Sequence, residues 1–262
     1  IIDYVEWKKI EEGIKQRLKA LNLFIRDVYH EQFFLNDKMI PAELIVSNPN
    51  YLRIMRGLNV PKDIYTHISG IDLIRDENGD FYVLEDNLRT PSGVSYMLEN
   101  REITRRLYPK FIPKNKVLPI NNYPTLLYNQ LKSLSNKKKP VIVLLTPGLY
   151  NSAYYEHTAL ARLMGVELVE GNDLVVENNH VYMKTAGGLK IVDIIYRRVD
   201  DDFLDPLNFN SASILGVAGI MDSYRNGNVI IINAPGAGIA DDKAVYTYVP
   251  DMISYYLNEK PI

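Results

Sequence analysis

The sequence predicts an α/β fold, and three patterns along the chain support this prediction. From about Trp7 to Phe33, apolar residues recur at spacings of three and four, which is typical of an amphipathic helix. Further along, two apolar stretches joined by "DENGD" are typical of paired strands. In the second half, strand-length apolar runs alternate with helix-length segments, which favours a Rossmann-like parallel sheet.

The other elements follow from local patterns. Helices are predicted at "VSYMLENREITRRLYPK", "YPTLLYNQLKSLSNKKK", "SAYYEHTALARLMG" and "SASILGVAGIMDSYRNG", and Ser152 is expected to cap the third of them. Buried strands are predicted at "PVIVLLTPG", "VELVEG", "IVDIIYRRV" and "NVIIINAPG". The stretch "DLVVENNHVYMK" predicts a hairpin that turns at Asn178 and Asn179. Residues 110–124 are rich in proline and predict a connector.

Composition excludes several classes of function. With 30 Lys and Arg residues against 32 Asp and Glu residues, the formal net charge of −2 gives no reason to expect nucleic acid or a membrane surface as a partner. The sequence has no cysteine, which excludes disulfides and thiolate chemistry and fits a reducing, cytoplasmic location. No apolar run approaches the ~18 residues of a membrane span. We therefore expect small-molecule or peptide partners, and composition leaves the oligomeric state open.

The segment "DENGD" predicts how the first two strands pair. Its Asn-Gly dipeptide at 78–79 is the strongest short-range signal for a two-residue hairpin turn. That turn would place Ile74 opposite Val83 and Asp72 opposite Glu85. The Cβ atoms of the two acidic residues would then be about 5 Å apart.

Two carboxylates and an amide on one face of this hairpin suggest a divalent cation. Asn87 lies two residues beyond Glu85 and therefore projects from the same face. Like charges that face each other destabilise a sheet unless a shared proton, an arginine or a cation compensates. Mg²⁺ prefers the oxygen ligands that Asp, Glu and Asn supply, and Arg89 could bind a phosphate or carboxylate beside them. The alternative is a surface hairpin whose acids point into solvent, with Arg89 as a counter-ion.

The stretch "GIDLIRDENGDFYVLEDNLRTPSGVSYMLENR" resembles the circularly permuted ATP-grasp proteins, which are distant relatives of the glutathionylspermidine and glutathione synthetases. Co-linear stretches extend the resemblance along nearly the whole chain, and they include "IPAELIVSNP", "LLTPGLYNSAYYEH", "YRRVDDDFLDPL" and "NAPGAGIADDKAVYTYVPDMI". The resemblance implies that Asp72, Glu85 and Asn87 bind the Mg²⁺ ions that bridge the phosphates of ATP. It also implies that Arg89 steadies the transferred phosphoryl group or the acyl phosphate.

The resemblance also implies a partial ATP-grasp fold and an order of domains. Residues 1–115 would form the magnesium-binding, α+β half of the ATP-grasp module, and residues 116–139 a connector and helix. Residues 140–262 would form a Rossmann-like pre-ATP-grasp substrate domain. In the family the adenine-clamping half follows, so we expect this chain to be a fragment that is inactive alone. Its first residue, Ile1, fits an expectation that something upstream has been removed.

Two loops hold further candidates for cofactor binding. Asn151 and Ser152 lie where a buried strand is followed by a helix, and the free N–H groups and dipole at such a place attract anions. The alternative there is a Pro-Gly turn with an ordinary helix cap. Gly236, Gly238 and Lys243 lie in "NAPGAGIADDK", which has the position of a phosphate loop but lacks the Gly-Lys-Ser/Thr of a Walker A motif.

Charged and histidine side chains elsewhere allow more than one interpretation. In "YRRVDDDFLD", Arg197 or Arg198 could hold a carboxylate while Asp200–Asp202 attract an amine, or the run could be a solvated charge cluster. His67 and His157 have no partner at metal-ligand spacing, so we expect packed histidines and no zinc site.

These inferences predict an ATP-dependent carboxylate–amine ligase of the peptide-synthase type. Phosphorylation by ATP would turn the carboxylate into an acyl phosphate, and attack by an amine would form the amide. The chemistry is mainly positioning and charge neutralisation, which suits Mg²⁺ and arginine. The alternative is a non-catalytic nucleotide- or peptide-binding partner that keeps the fold. The sequence leaves the acid and the amine open.

Overall fold

The computed structural model describes residues 2–110 and 117–262. The helices are α1 (Tyr4–Tyr29), α2 (Phe33–Asn36), α3 (Ala42–Val46), α4 (Val94–Leu107), α5 (Tyr123–Lys132), α6 (Tyr154–Met164), α7 (Asp201–Leu204), α8 (Ile220–Arg225), α9 (Lys243–Tyr246) and α10 (Val249–Met252). Short 3₁₀ helices lie at Arg53–Met55, Pro61–Asp63, Gly171–Asp173 and Ala237–Asp241, and a π-helix lies at Ile253–Leu257. The strands are β1 (Gly70–Arg75), β2 (Phe81–Asn87), β3 (Ile142–Leu145), β4 (Glu167–Val169), β5 (Leu174–Glu177), β6 (His180–Thr185), β7 (Gly188–Ile191), β8 (Ile194–Arg197) and β9 (Ile230–Ile232).

These elements form two compact units. The first combines the described residues up to Pro91 with Asn233–Ile262, and the second comprises the described residues from Ser92 to Ile232. These divisions differ from the domain boundaries that the sequence predicts. The boundary between residues 115 and 116 falls outside the described residues. The domains 1–115, 116–139 and 140–262 stay a prediction about family modules.

Helix α1 supplies many of the buried residues of the first unit. A capping box starts it: the Asp3 carboxylate accepts from the backbone N–H groups of Val5 and Glu6, and the Glu6 side chain accepts from the backbone N–H of Asp3. The predicted helix is present but ends at Tyr29. The buried Asp27 carboxylate explains the break, because it accepts hydrogen bonds of 2.8 Å from the backbone N–H groups of residues 33 and 34, where α2 begins.

The second unit contains a four-stranded parallel sheet with the strand order β4-β3-β8-β9. Every residue of β3 and β8 is buried, which explains their continuous apolar sequences. Beside it, β5, β6 and β7 form an antiparallel sheet. Asn178 and Asn179 make the predicted turn with φ values of 49° and 60°, whereas β7 was not predicted. None of the helices in the described ranges combines the length and apolar character needed to span a bilayer.

Two predicted helices of the second unit start later than their sequences suggest. Helix α6 begins at Tyr154 with Ala153 as its cap, so the prediction of Ser152 as the cap is wrong. Of the stretch from Ser211 to Gly227, only α8 is α-helical. The buried Asp205 carboxylate accepts from the backbone N–H groups of residues 207, 219 and 221. These bonds hold the segment before α8 in a loop conformation.

A buried polar cluster joins α4, α6 and β8 within the second unit. The Glu156 carboxylate accepts at 2.7 Å from the backbone N–H of Gly93 and at 3.0 Å from both the N–H and the hydroxyl of Ser95, and so caps α4. Its other oxygen lies 3.6 Å from Nη2 of Arg198, and Nη1 of the same arginine donates to the Tyr196 hydroxyl. Arg198 therefore has a structural role at the centre of this unit.

The side chain of the neighbouring Arg197 also makes its contacts inside the protein. Its side chain is fully buried, forms an ion pair of 2.8 Å with Asp201 and donates to the carbonyl of Val199. The alternative of a solvated cluster is therefore wrong for Arg197, Arg198 and Asp201, which are buried, whereas Asp202 is exposed. Binding of a carboxylate or an amine by this run stays a prediction.

Acidification from about pH 6.5 to about pH 4 is expected to destabilise the second unit through His157. Burial, and then the charge of Arg198, lower the pKa of His157 to about 4, and its ring contacts the Thr146 hydroxyl at 2.9 Å. In the unfolded chain the pKa of histidine is about 6.5. Because the unfolded state takes up a proton first, the stability present above about pH 6.5 is lost as the pH falls.

Thermal unfolding of the wild type and of His157→Gln, measured between about pH 7 and about pH 4.5, checks this expectation. The variant should lose less of its melting temperature over that range. His67→Gln should reduce the pH dependence of the first unit in the same way, because burial also lowers the pKa of His67 to about 4. An unchanged pH dependence in His157→Gln would contradict the assignment.

Candidate metal and phosphate site

Strands β1 and β2 pair so that Asp72 lies directly opposite Glu85, as the sequence predicts. One further step along the same face, Gly70 lies opposite Asn87. Asp72 is exposed, and Glu85 and Asn87 are half-buried. Two carboxylates and one amide therefore share the outer face of the hairpin at its open end.

The turn of the hairpin is longer than predicted, and a bulge in β2 compensates for the difference. Its turn spans the three residues Glu77–Gly79, because the backbone N–H of Asp76 donates to the carbonyl of Asp80 and Gly79 has a φ of 92°. Next to the turn, Ile74 consequently lies opposite Tyr82 and not Val83. A β-bulge then adds one residue to β2 between Val83 and Glu85 and restores the predicted register. The prediction of a two-residue turn is wrong, and the predicted acidic pair is right because the bulge offsets the longer turn.

A buried ion pair fixes the inner face of the same hairpin. Asp86 lies between Glu85 and Asn87, is 2% exposed, and makes two bonds to the guanidinium group of Arg17 on α1: Nε–Oδ1 at 2.7 Å and Nη2–Oδ2 at 2.5 Å. The same guanidinium group lies 5.0 Å from the centre of the Tyr246 ring. Because neighbouring residues point to opposite faces, anchoring Asp86 inward holds its two neighbours outward. Sequence reasoning missed this pair, although a strand acid on the core face signals a buried partner.

The loop Asn233–Lys243 packs against the end of β2, within the first unit. The buried Asn233 amide donates to the carbonyls of Ile68 and Leu88 and accepts from the backbone N–H groups of residues 67 and 68. Asp241 accepts from the backbone N–H of Leu88 at 2.6 Å, and its second oxygen lies 3.7 Å from Nε of Arg89. Contacts with this loop therefore hold the backbone just before Arg89 and the Arg89 side chain in place. Sequence reasoning missed Asn233 and Asp241, although both flank the glycines that it selected.

The two glycines of this loop allow close packing. A Cβ atom on Gly238 would lie 3.1 Å from Cδ of Arg89. At Gly236, which has a φ of 81°, it would lie 2.4 Å from the hydroxyl oxygen of Tyr29. That hydroxyl donates to the carbonyl of Gly236 and accepts from the backbone N–H of Leu52. Both glycines are buried, and their contact with a cofactor stays a prediction.

Gly236→Ala is expected to cost about 1–3 kcal/mol of unfolding free energy more than Gly57→Ala. Gly57 belongs to the same unit and has a similar φ of 69°, but a Cβ atom there meets nothing within 4 Å. The control therefore reports the backbone strain alone, and the difference reports the clash with Tyr29. Urea denaturation of both variants measures it. Equal losses would show that the Tyr29 contact relaxes without cost.

Lys243, at the end of the same loop, lies close to Glu85 of the acidic pair. The Asp242 carboxylate caps α9 by accepting from the backbone N–H of Ala244 at 2.7 Å, so Lys243 is the first helical residue. Its ammonium group lies 3.5 Å from an oxygen of Glu85. The structure thus places in one unit five residues that the sequence assigned to two different domains, namely Asp72, Glu85, Asn87, Arg89 and Lys243.

The remaining candidates, Asn151 and Ser152, belong to the second unit. The Asn151 side chain accepts from the backbone N–H of Ala153 at 2.9 Å, and Ser152 is exposed. The Asn151 bond is a contact within the turn, and α6 has no side-chain cap, so the alternative of a Pro-Gly turn holds without its ordinary helix cap. Binding of a cofactor by either residue stays a prediction.

The donor set of the hairpin fits Mg²⁺ in its chemistry. All three side chains offer oxygen, the ligand atom that Mg²⁺ prefers, and the ammonium group of Lys243 lies 3.5 Å from an oxygen of Glu85. Within the described ranges, no three His, Cys, Asp or Glu residues are spaced to hold a metal ion. Two carboxylates and an amide would leave coordination positions for water and phosphate, as Mg²⁺ usually requires. Metal binding by these three residues stays a prediction.

Residues 1–262 match the family model "Circularly permuted ATP-grasp type 2". The chain belongs to this family. The resemblance stated above is thereby confirmed.

Several curated proteins are similar to this chain. It is 50% identical over 264 residues to "Uncharacterized protein Rv2411c" of Mycobacterium tuberculosis, a match that covers 100% of this chain and 48% of the relative. It is 48% identical over 264 residues to "Uncharacterized protein sll0335" of Synechocystis, covering 100% and 55%. It is 38% identical over 262 residues to "Putative glutamate--cysteine ligase 2-3" of Frankia alni, covering 98% and 30%. The chain thus spans about half the length of the first two relatives.

Proposed function

We propose that this chain is the magnesium-binding part of an ATP-dependent carboxylate–amine ligase. The observation that carries the proposal is the outer face of the hairpin, where Asp72 and Glu85 are paired and Asn87 follows. Family membership supports the use of ATP, and the name of the Frankia alni relative supports ligation of a carboxylate to an amine. The proposed cofactors are ATP and Mg²⁺, and the proposed substrates are a small-molecule or peptide carboxylate and an amine.

In this proposal the side chains of the hairpin act by position and charge. Bound Mg²⁺ would neutralise phosphate oxygens and hold them in place for transfer. Asp72 and Glu85 supply the two negative charges that a divalent cation needs, and Asn87 supplies a neutral oxygen. Arg89, held near Asp241 at 3.7 Å, would stabilise the charge that develops on the transferred phosphoryl group.

The second unit would bind the acid or amine substrate. Its parallel sheet, with order β4-β3-β8-β9, supports the proposal of a Rossmann-like pre-ATP-grasp domain. Asn151 and Ser152 follow β3, at the carboxyl edge where α/β sheets commonly bind ligands. The adenine-clamping half would lie in the additional length that the relatives have, so the 262-residue chain alone should bind ATP weakly and should not turn it over.

The proposal is tested by ADP release from the full-length protein, supplied with ATP, Mg²⁺ and pairs of amino acids or small peptides. We expect release that depends on both an acid and an amine, together with an amide product whose mass equals that of the two substrates minus water. ATP binding without ADP release for any pair would favour the non-catalytic partner instead.

A further inference from the structure

The ammonium group of Lys243 lies beside the Glu85 carboxylate. Its Nζ lies 3.5 Å from Oε2 of Glu85, which is an ion-pair distance but longer than a good hydrogen bond. The lysine side chain is 81% exposed and the glutamate side chain 35% exposed. The contact is therefore an open one that solvent and ions can reach.

Hydrogen bonds hold the backbone at this lysine, while its side chain is largely exposed. Asp242, the preceding residue, caps α9 and also accepts from the Asn48 amide at 3.0 Å. The lysine side chain carries a compact ammonium group on a flexible four-carbon stem. Lys243 can thus leave Glu85 by rotating its side chain, without any change in the fold.

Charge balance at this face favours exchange with a divalent cation. Glu85 lies opposite Asp72, so the pair carries two negative charges, and one ammonium group neutralises half of them. An exposed ion pair of this kind contributes at most about 1 kcal/mol. A divalent cation held by both carboxylates would compensate the charge fully.

We propose that Lys243 is an exchangeable cation that occupies Glu85 when no metal is bound and transfers to phosphate when a metal displaces it. This inference rests on the proposed function, because it takes the hairpin as the metal site. Before metal binding, Lys243 limits the repulsion between Asp72 and Glu85. After metal binding, the same ammonium group is released next to the place that phosphate oxygens would occupy.

The proposal requires one substitution to have effects of opposite sign. Lys243→Met removes the competing ammonium group, so the affinity for Mn²⁺ alone, measured by electron paramagnetic resonance of free Mn²⁺, should rise up to about 5-fold, or about 1 kcal/mol. The affinity for tripolyphosphate in saturating Mn²⁺, measured by calorimetry, should fall roughly 10-fold, because a charge-assisted contact is lost. Tripolyphosphate carries the phosphates of ATP without adenine, so the adenine-clamping half is not needed.

Two matched variants test whether the effect requires a positive charge at position 243. Lys19→Met removes an exposed lysine of α1 in the same unit and should leave both affinities near the wild-type values. Lys243→Arg keeps a positive charge on a long side chain and should keep Mn²⁺ affinity within about 2-fold of wild type.

Three other results would overturn the inference, and each has a different meaning. Unchanged Mn²⁺ affinity with weaker tripolyphosphate binding in Lys243→Met would make Lys243 a phosphate ligand without an exchange role. Weaker binding of both probes would mean that Lys243 supports the site structurally. Absence of Mn²⁺ binding to the wild type would remove the metal site itself, and with it both the proposed function and this inference.

Discussion

Glu85→Gln is expected to lower ATP turnover by the full-length protein roughly 100-fold or more at saturating Mg²⁺. The substitution keeps the size of the side chain and one oxygen, but removes a negative ligand from the pair with Asp72. In phosphoryl transfer the ligand charge matters most in the transition state, where the metal must neutralise charge on the transferred group. The loss should therefore fall mainly on kcat.

Folding should respond far less than turnover. Glu85→Gln removes the open ion pair with Lys243, worth at most about 1 kcal/mol, and also relieves the repulsion across the strands from Asp72. The two effects have opposite signs. Thermal unfolding of the 262-residue chain should therefore differ from wild type by only a few degrees, and its binding of Mn²⁺ should be weaker.

Glu77→Gln is the matched control, because Glu77 is an exposed acid in the turn of the same hairpin. It removes one negative charge without touching the paired face and should retain normal turnover. The measurement is ADP release by both variants under the same conditions. Near-normal release by Glu85→Gln would remove Glu85 from the metal site, and the non-catalytic partner would become the better proposal.

Local patterns were sufficient to predict the acidic pair, but not the contacts that hold it. Alternation along β2 and a turn in "DENGD" are local features, and they brought Asp72 opposite Glu85. The bulge after Val83 could not be predicted, because the choice between a two- and a three-residue turn depends on packing on both faces of the hairpin. The pairing is correct because the two deviations offset each other.

Local sequence patterns also could not predict that the residues after β9 pack with the first unit. The sequence placed Lys243 with the strands that precede it, whereas the segment from Asn233 onward packs with the first unit. A buried strand such as β9 has the same sequence pattern wherever the chain goes next. The contacts that direct it, from Asn233 to Ile68 and Leu88, join residues that are far apart in sequence.

Arg17→Met is expected to lower the unfolding free energy of the first unit by about 3 kcal/mol, because it leaves the buried Asp86 carboxylate without its cation. Breaking one side of a buried ion pair commonly costs about 3–5 kcal/mol. Arg17 also lines a cavity of about 270 Å³ between α1, the hairpin and the C-terminal residues. Shortening Arg17 to Met would extend this cavity toward Asp86 and admit water to part of the uncovered carboxylate, so the lower end of the range is expected here.

Arg26→Met provides the control on the same helix. Arg26 pairs with Glu31 at 3.6 Å, and both side chains are about 40% exposed, so this substitution should cost at most about 1 kcal/mol. Urea denaturation of both variants measures the difference. A loss in Arg17→Met no larger than that in Arg26→Met would show that the Asp86 carboxylate is satisfied by other groups.

The double variant Arg17→Met with Asp86→Leu separates the stability of the pair from its role at the site. Removing both charges together should recover most of the lost stability, since an apolar pair of similar volume often replaces a buried ion pair at little cost. Asp86 also fixes which face of β2 points outward, however. If an apolar side chain on the inner face is enough to hold Glu85 and Asn87 outward, the double variant should bind Mn²⁺ as the wild type does. Recovered stability with weakened Mn²⁺ binding would instead mean that the two bonds between Arg17 and Asp86 set the geometry of the metal ligands directly.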